Sequence, residues 1–338
     1  MRRLLAPPSE APVRPGQVPT FSIVIPVYQA AAFVGDAVAS ALAQTVAPHE
    51  VIVCDDGSTD DLAAALAPYT DRIIVLRRPH RGVGAARNAA VEIASGEFVV
   101  MLDADDVYEP ARLAALGELA AARPDLDILA TDLWLEEDGA ASDRFYDTLG
   151  FPLADQRLAI LEACFVACPA LRRTRVLEEH GFDESLVVAE DWDLFMRLIL
   201  GGSRAGLVPE PLVRYRRHLS STTADRARSL WTRVRVLEKV RLHPTLTPDE
   251  RAFVDRCLSR ARTRARLKDA SALAGSRGTD VRRSLLRLVR ADGTPVATRL
   301  VAAAAAVAPR PGATVLAWEE RRVARSRPRR PSGRTRRG

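Results

Sequence analysis

The sequence predicts an α/β domain built on a mixed, largely parallel sheet flanked by helices, followed by a basic helical extension. Three observations carry this. From Phe21 onward, short β-branched runs alternate with helix-length stretches. The apolar runs end on polar clusters, which is where open α/β sheets bind ligands. And residues 226–338 hold 29 of the 49 Lys and Arg side chains but only nine of the 43 Asp and Glu, so an acidic body carries a basic tail. A chain of 338 residues, 47 % hydrophobic, is long enough for one substantial core with room for a smaller appendage.

The elements follow in order. Residues 1–19 form a Pro-rich leader without hydrophobic periodicity and are read as disordered. FSIVIPV is a strand, AAFVGDAVASALAQ a helix, EVIVCDD a strand, DLAAALAPY a helix and RIIVLRR a strand. GVGAARNAAVEIA is the next helix, closed by Ser95-Gly96, and EFVVMLD is an apolar strand that runs directly into carboxylates. Leu194, Phe195 and Leu198 supply a helical core stripe, and a strand-like run covers Gly206 to Val213. These elements make up a main domain over 20–225. A basic helical extension is expected over 226–320, with one helix near Ala224 to Leu242 and another opened by Thr247-Pro248-Asp249-Glu250. Val296 to Ala308 is Ala/Val-rich but too short to span a bilayer and reads as a buried or an interfacial helix, and residues 321–338 read as a disordered basic tail.

Composition excludes several classes. No run of 18 apolar residues exists and the leader lacks a secretory hydrophobic segment, so the expected location is cytoplasmic, peripheral at the inner face of the membrane if the basic tail meets anionic lipid. The four cysteines, at 54, 164, 168 and 257, have neither zinc spacing nor a disulfide framework. The arginines come without interleaved aromatic reader residues, so no specific nucleic-acid partner is expected.

Several clusters carry chemistry. Asp103-Ala104-Asp105 follows an apolar strand, so hard oxygen ligands emerge at a sheet edge, suiting Mg²⁺ or Mn²⁺ held against phosphate; a capping turn would use the same residues. Asp55 and Asp56 end another strand, where an acid can accept a hydrogen bond from a base or ribose; capping accounts for Ser58, Thr59 and Asp60 but not for both acids. His80 to Asn88 forms a glycine turn entering a helix with Arg87 near its start, a natural anion site. The dinucleotide fingerprint fails there, because Arg87 stands where the third glycine belongs. Glu190 and Asp191 sit at a helix start, where acids compensate the dipole or serve as a general base. His218 follows the last strand-like run, and a lone histidine is usually structural.

In order and spacing, the runs FSIVIPVY, CDDGSTD, RGVGAARN, FVVMLDADD, GFDE, AEDWDLFMRL and YRRHLSSTT resemble the family 2 glycosyltransferases over Phe21 to Thr223. The resemblance implies a GT-A type, Rossmann-like fold and a nucleotide-diphosphate-sugar donor, with a UDP-sugar foremost. It also implies a divalent cation, Mn²⁺ or Mg²⁺, and transfer with inversion to a hydroxyl of a glycan or lipid-linked acceptor, in cell-surface polysaccharide or glycoconjugate synthesis. Matched position by position, Pro26, Val27 and Tyr28 look like the end of the strand lining the nucleotide pocket, and Asp56 or Asp55 like the base-contacting acid. Arg87 looks like the arginine beside the nucleotide, and Ala104 lies between the metal-binding pair Asp103 and Asp105. Asp191 is similar to the family's base, with Glu190 as the fallback, and His218 falls where some relatives approach the metal or diphosphate. Two other readings of the same carboxylates are a metal-dependent nucleotidyltransferase and a catalytically inert sugar-nucleotide-binding module.

Overall fold

The structure is a computed structural model, and it describes residues 19–137, 140–217, 226–273, 278–290, 294–307, 319, 322 and 323. Its centre is strand β1 (Phe21–Val27), buried along its whole length. It pairs in parallel with β2 (Glu50–Asp55) on one side and β4 (Phe98–Met101) on the other. Beyond β2 lies β3 (Ile74–Arg77), an edge strand that leaves Ile74 and Val75 exposed. Three parallel connections in a row require crossovers, and the helices that the sequence spaces between these strands provide them. They are α1 (Ala31–Leu42), α2 (Leu62–Leu66, continued by a 3₁₀ turn to Tyr69) and α3 (Val83–Ile93).

The second half of the sheet is mixed. Beyond β4 the sheet continues through β8 (Ala170–Arg172), β6 (Ile128–Glu137), β9 (Ala205–Arg217) and β5 (Val107–Tyr108), giving the order β3-β2-β1-β4-β8-β6-β9-β5, with β7 (Ala140–Arg144) paired to the outer part of β6. Strand β8 runs antiparallel to both β4 and β6, whereas β9 runs parallel to β6 and antiparallel to the two-residue β5. The expected strand over Gly206 to Val213 is therefore longer at its C-terminal end. Four pairings are parallel and four antiparallel, with the parallel ones concentrated around β1.

Period-two alternation sorts the core into two layers. Phe21, Ile23, Ile25 and Val27 face one side with Val34, Val38, Leu62 and Leu66, joined by Leu113 and Leu116 of α4 (Arg112–Ala122). Val24, Ile52 and Val99 face the other with Ala86 and Ala90 of α3. That second layer continues into α6 (Gln156–Glu162) and α8 (Glu190–Leu200), with the short α5 (Phe145–Leu149) and α7 (Arg173–Glu178) on its margins.

The C-terminal helices are α9 (Arg226–Val240), α10 (Pro248–Leu273), α11 (Gly278–Arg290) and α12 (Val296–Val307). Helix α10 starts in a capping box: the Glu250 amide donates to Thr247 Oγ1 at 3.2 Å and the Thr247 amide to Glu250 Oε2 at 2.8 Å. Val234, Val236, Leu237 and Val240 of α9 and Phe253, Val254, Cys257 and Leu258 of α10 belong to the same buried layer as α8. The first part of the extension thus completes the core under the sheet. A small separate cluster holds Leu267 and Ala270 of α10 with Leu285, Leu288 and Ala302. The sequence boundary at 225/226 adjoins 218–225, which lie outside the described residues, as do the leader over 1–18 and most of the tail after 307.

Candidate functional site

The polar clusters of the sequence converge at the C-terminal edge of β1, β2 and β4. At the end of β1, Pro26 and Val27 are buried in the sheet, and only Tyr28 emerges. Gln29 has a left-handed backbone, φ 52°, and its side-chain carbonyl accepts from the amides of Thr59 and Asp60 at 3.0 and 3.1 Å. Asp60 in return accepts the Ala31 amide at 2.8 Å, ahead of α1. The loops after β1 and β2 are therefore bound to each other.

Asp55 and Asp56, at the end of β2, are both nearly inaccessible. Asp55 caps the following turn through the Ser58 amide at 2.7 Å. Asp56 reaches the other way: it accepts the Arg81 amide at 3.0 Å and the Gly82 amide at 2.7 Å, and His80 Nδ1 lies 2.8 Å from its Oδ2. The strand-end acid thus anchors the loop that leads into α3. Gly57 permits the approach; with φ +83°, a Cβ there would stand 2.9 Å from the His80 nitrogen. The His80 ring in turn stacks on Tyr28, centroids 4.0 Å apart and planes 23° from parallel, making a flat aromatic face beside the two acids. The sequence reading did not single out His80, because its role arises only from the loop's return across β2.

Helix α3 enters the site from Gly82, φ 98°, and places Arg87 in its second turn. Arg87 is buried; one guanidinium nitrogen donates to Asp103 Oδ1 and the other to Glu190 Oε1, both at 2.6 Å, while the guanidinium lies 5.4 Å from the Phe182 ring centroid. A single cation therefore joins the acid after β4 to the acid opening α8, 103 residues apart from its own position in the case of Glu190. Next along the helix, Asn88 donates to the Phe182 carbonyl at 2.9 Å and accepts its amide at 2.7 Å, holding the Gly181-Phe182-Asp183 loop against α3.

Three carboxylates follow β4. Asp103 and Asp105 are partly exposed; Ala104 between them is buried in the core, and Asp106 is almost wholly buried. Burial, then the charges of Asp103 and Asp105, push the Asp106 carboxyl well above the usual carboxylate range, and its Oδ1 accepts the Arg216 amide of β9 at 3.0 Å. The turn is propped from below. The Tyr108 hydroxyl donates to the Met101 carbonyl at 2.6 Å, and the fully buried Arg112 lies 4.3 Å from the Tyr108 ring centroid while bonding Thr131 and the Cys168 carbonyl.

On the other side of Arg87, Ala189 takes a left-handed backbone, φ 62°, immediately before α8, a conformation that costs a non-glycine residue roughly 1–3 kcal/mol and clusters at functional sites. Glu190 and Asp191 follow. Burial lifts Glu190 to about 7 against the pull of Arg87, and burial likewise raises Asp191, again opposed by Arg87. Asp191 Oδ1 accepts the Trp192 amide at 2.6 Å. Trp192 anchors the helix start by donating from its indole nitrogen to the Ile160 carbonyl at 2.8 Å, with Arg233 of α9 stacked on the ring at 4.4 Å. Lys239, also on α9, bridges Asp183 at 2.7 Å and Asp193 at 2.9 Å. Helix α9 therefore braces the element that carries both acids, a role no local motif announced.

The donor chemistry fits a hard divalent cation. Asp103 and Asp105 present oxygen ligands beside the buried carboxyl of Asp106, and Arg87 takes only one oxygen of Asp103. Among the described residues no group of three or more His, Cys, Asp or Glu side chains forms a metal cage. Mg²⁺ sites commonly use one or two carboxylates and complete their shell with water and substrate phosphates. His218 lies outside the described residues.

Comparison with known proteins agrees with this architecture. Residues 22–181 match the family model of glycosyl transferase family 2. Succinoglycan biosynthesis protein ExoU of Rhizobium meliloti (strain 1021) is 35 % identical over 205 residues, covering 55 % of this chain and 58 % of ExoU. The hyaluronan synthase of Pasteurella multocida is 31 % identical over 189 residues, which cover 54 % of this chain but only 19 % of that protein. Among solved structures, S. aureus TarS in complex with UDP-GlcNAc superposes with a TM-score of 0.60 at 17 % identity, over 90 % of this chain and 92 % of that one. Mannosyltransferase PcManGT from Pyrobaculum calidifontis, in complex with GDP-Man and Mn²⁺, gives 0.57 at 22 % identity, over 94 % and 88 %. At these identities the two structures establish the fold, which is the GT-A type.

Proposed function

We propose that this chain, whose residues 22–181 match the family model of glycosyl transferase family 2, transfers a sugar with inversion from a nucleotide-diphosphate donor to a hydroxyl acceptor. The observation that carries this reading is the Asp103–Arg87–Glu190 chain, which ties the strand-end carboxylates to the helix start that bears Asp191.

The nucleobase would lie against the Tyr28–His80 face beside Asp55 and Asp56, and the diphosphate would lie toward Asp103 and Asp105. Those two aspartates would hold Mg²⁺ or Mn²⁺, which when bound offsets charge on the departing diphosphate. Arg87 holds Asp103 in place through one of its two carboxylate oxygens. Asp191 accepts the proton of the acceptor hydroxyl as that oxygen forms the new bond to the anomeric carbon; the bond to the diphosphate oxygen breaks on the opposite face and the nucleoside diphosphate leaves with the electron pair. Burial favours this role, because a carboxylate with raised proton affinity is a stronger base. Glu190 is committed to Arg87, which selects Asp191 of the two acids as the base. A single displacement needs no glycosyl-enzyme intermediate.

A UDP-sugar is the first donor to test, with GDP-mannose the second, following the ligands of the two solved structures. The relation to ExoU points to a polysaccharide or glycoconjugate acceptor, either a glycan or a lipid-linked sugar. Incubation of donor with Mn²⁺ separates the classes of activity. Release of nucleoside diphosphate supports transfer, release of pyrophosphate would instead indicate nucleotidyl transfer, and release of neither across UDP- and GDP-sugars would indicate an inert binding module.

A further inference from the structure

The last two helices carry a surface that the proposed chemistry does not use. Helices α11 and α12 bury Leu285, Leu288 and Ala302 against Leu267 and Ala270 of α10, so one face of each is spent on packing. The opposite face of α11 carries Arg283, Leu286, Arg287 and Arg290, all exposed, at the spacing of one helical face. The outward face of α12 carries Val296 and Leu300, one turn apart and 73 % and 66 % exposed, with the partly buried Arg299 between them. Val296 and Leu300 thus form an aliphatic pair on one turn, next in sequence to a helix whose outer face presents arginines. Arg299 is turned back to the Thr294 carbonyl at 3.0 Å, which clears the ground between the two aliphatic residues.

We infer that the α11–α12 pair is a docking surface for an anionic lipid bilayer. The chemistry is complementary on both counts: Val296, Leu300 and Leu286 enter the boundary between headgroups and acyl chains, and the α11 guanidinium groups remain at the level of the lipid phosphates. No described helix is long and apolar enough to cross a membrane, so the helices lie in the interface plane. A second copy of the chain is a poorer occupant, since a two-fold contact through this face would set one arginine row against another. Nucleic acid is poorer still, since a phosphate backbone offers nothing to Val296 and Leu300.

The test is co-sedimentation of the full chain with phosphatidylcholine vesicles, with and without phosphatidylglycerol. The chain is expected to bind only the anionic vesicles. The double variant Arg287→Gln/Arg290→Gln is expected to weaken partitioning by at least about tenfold, each arginine contributing about fivefold near an anionic surface. Val296→Glu/Leu300→Glu is expected to weaken it as well, with the thermal midpoint of both variants unchanged because all four positions are exposed. Absence of binding by the parent chain overturns the inference, as does binding by both variants equal to that of the parent. So does a light-scattering result in which Val296→Glu/Leu300→Glu turns a dimer into a monomer without altering vesicle binding.

Discussion

The two sides of the candidate site, joined by Arg87, are built on different principles. The side formed by β1, β2 and β4 takes its functional groups from the residues that end each strand, so Tyr28, Asp55, Asp56, Asp103 and Asp105 arrive at one edge because three neighbouring strands run in the same direction. The side formed by α8 takes Glu190 and Asp191 from a helix start that is braced entirely from elsewhere: by Asn88 of α3 through the Phe182 loop, by Ile160 through Trp192, and by Arg233 and Lys239 of α9. One side follows from topology and the other from tertiary packing, so substitutions remote from the site should disturb the second side far more than the first.

The largest expected effect comes from removing the brace altogether. A chain ending at residue 225 loses Val236, Leu237, Phe253 and Val254, each fully buried and each contributing roughly 1.5–3 kcal/mol on burial, from the layer that α8 shares. Such a chain is expected to lose cooperative unfolding by circular dichroism. A truncated chain that unfolds cooperatively would mean that the α9–α10 layer is an appendage.

Next is the link between the sides. Arg87→Met leaves Glu190 buried without its cation and is expected to cost about 3–5 kcal/mol in urea unfolding, the usual penalty for halving a buried ion pair. Nucleoside diphosphate release should fall with it, because both Asp103 and Glu190 lose the partner that positions them.

Lys239→Met makes a subtler test of the α8 brace. Asp183 and Asp193 lose a shared ammonium group, and the expected result is a fall of about tenfold in kcat with donor KM little changed, since Lys239 bridges residues at the start of α8 and the loop before it. A rise in KM at constant kcat would place Lys239 with donor binding instead.

The smallest effect is a matter of pH. Burial holds Glu190 at about 7, above the 4.5 of an unperturbed glutamate, so the folded chain retains a proton that the unfolded chain releases. Its contribution therefore favours folding below the unfolded pKa and is lost as pH rises through about 7. Glu190→Gln should flatten that decline in a series of unfolding curves between mildly acidic and mildly alkaline pH. An unchanged slope would assign the titration to another group.

The same contrast explains what was legible in the sequence. Strands β1, β2 and β4 and the helices between them were readable because β-branched runs and helical periodicity are local signals, and the strand-end acids were visible as departures from them. The capping box at Thr247 was readable for the same reason. The antiparallel strand β8, the β6–β7 pairing and the three-stranded arrangement of β6, β9 and β5 were not, since register between distant segments leaves no local trace. Among site residues, His80 gained its place beside Tyr28 only through the Asp56 anchor, and Lys239 and Arg233 looked like ordinary members of an arginine-rich helix. Pro26, Val27 and Ala104 lie in matched motifs, yet their side chains are buried, leaving Tyr28, Asp103 and Asp105 as the accessible members.

The central claim is that the two sides divide the labour, with Asp103 and Asp105 holding the donor and Asp191 accepting the proton. Thermal shift with UDP-sugars and Mn²⁺, run beside transfer on the same preparations, tests it directly. Asp191→Asn should keep the ligand-induced rise in Tm while turnover falls about 10²–10⁴-fold, and the Asp103→Ala and Asp105→Ala variants should lose the rise itself. An Asp191→Asn chain that loses the rise, or an Asp103→Ala chain that keeps it, would contradict the division.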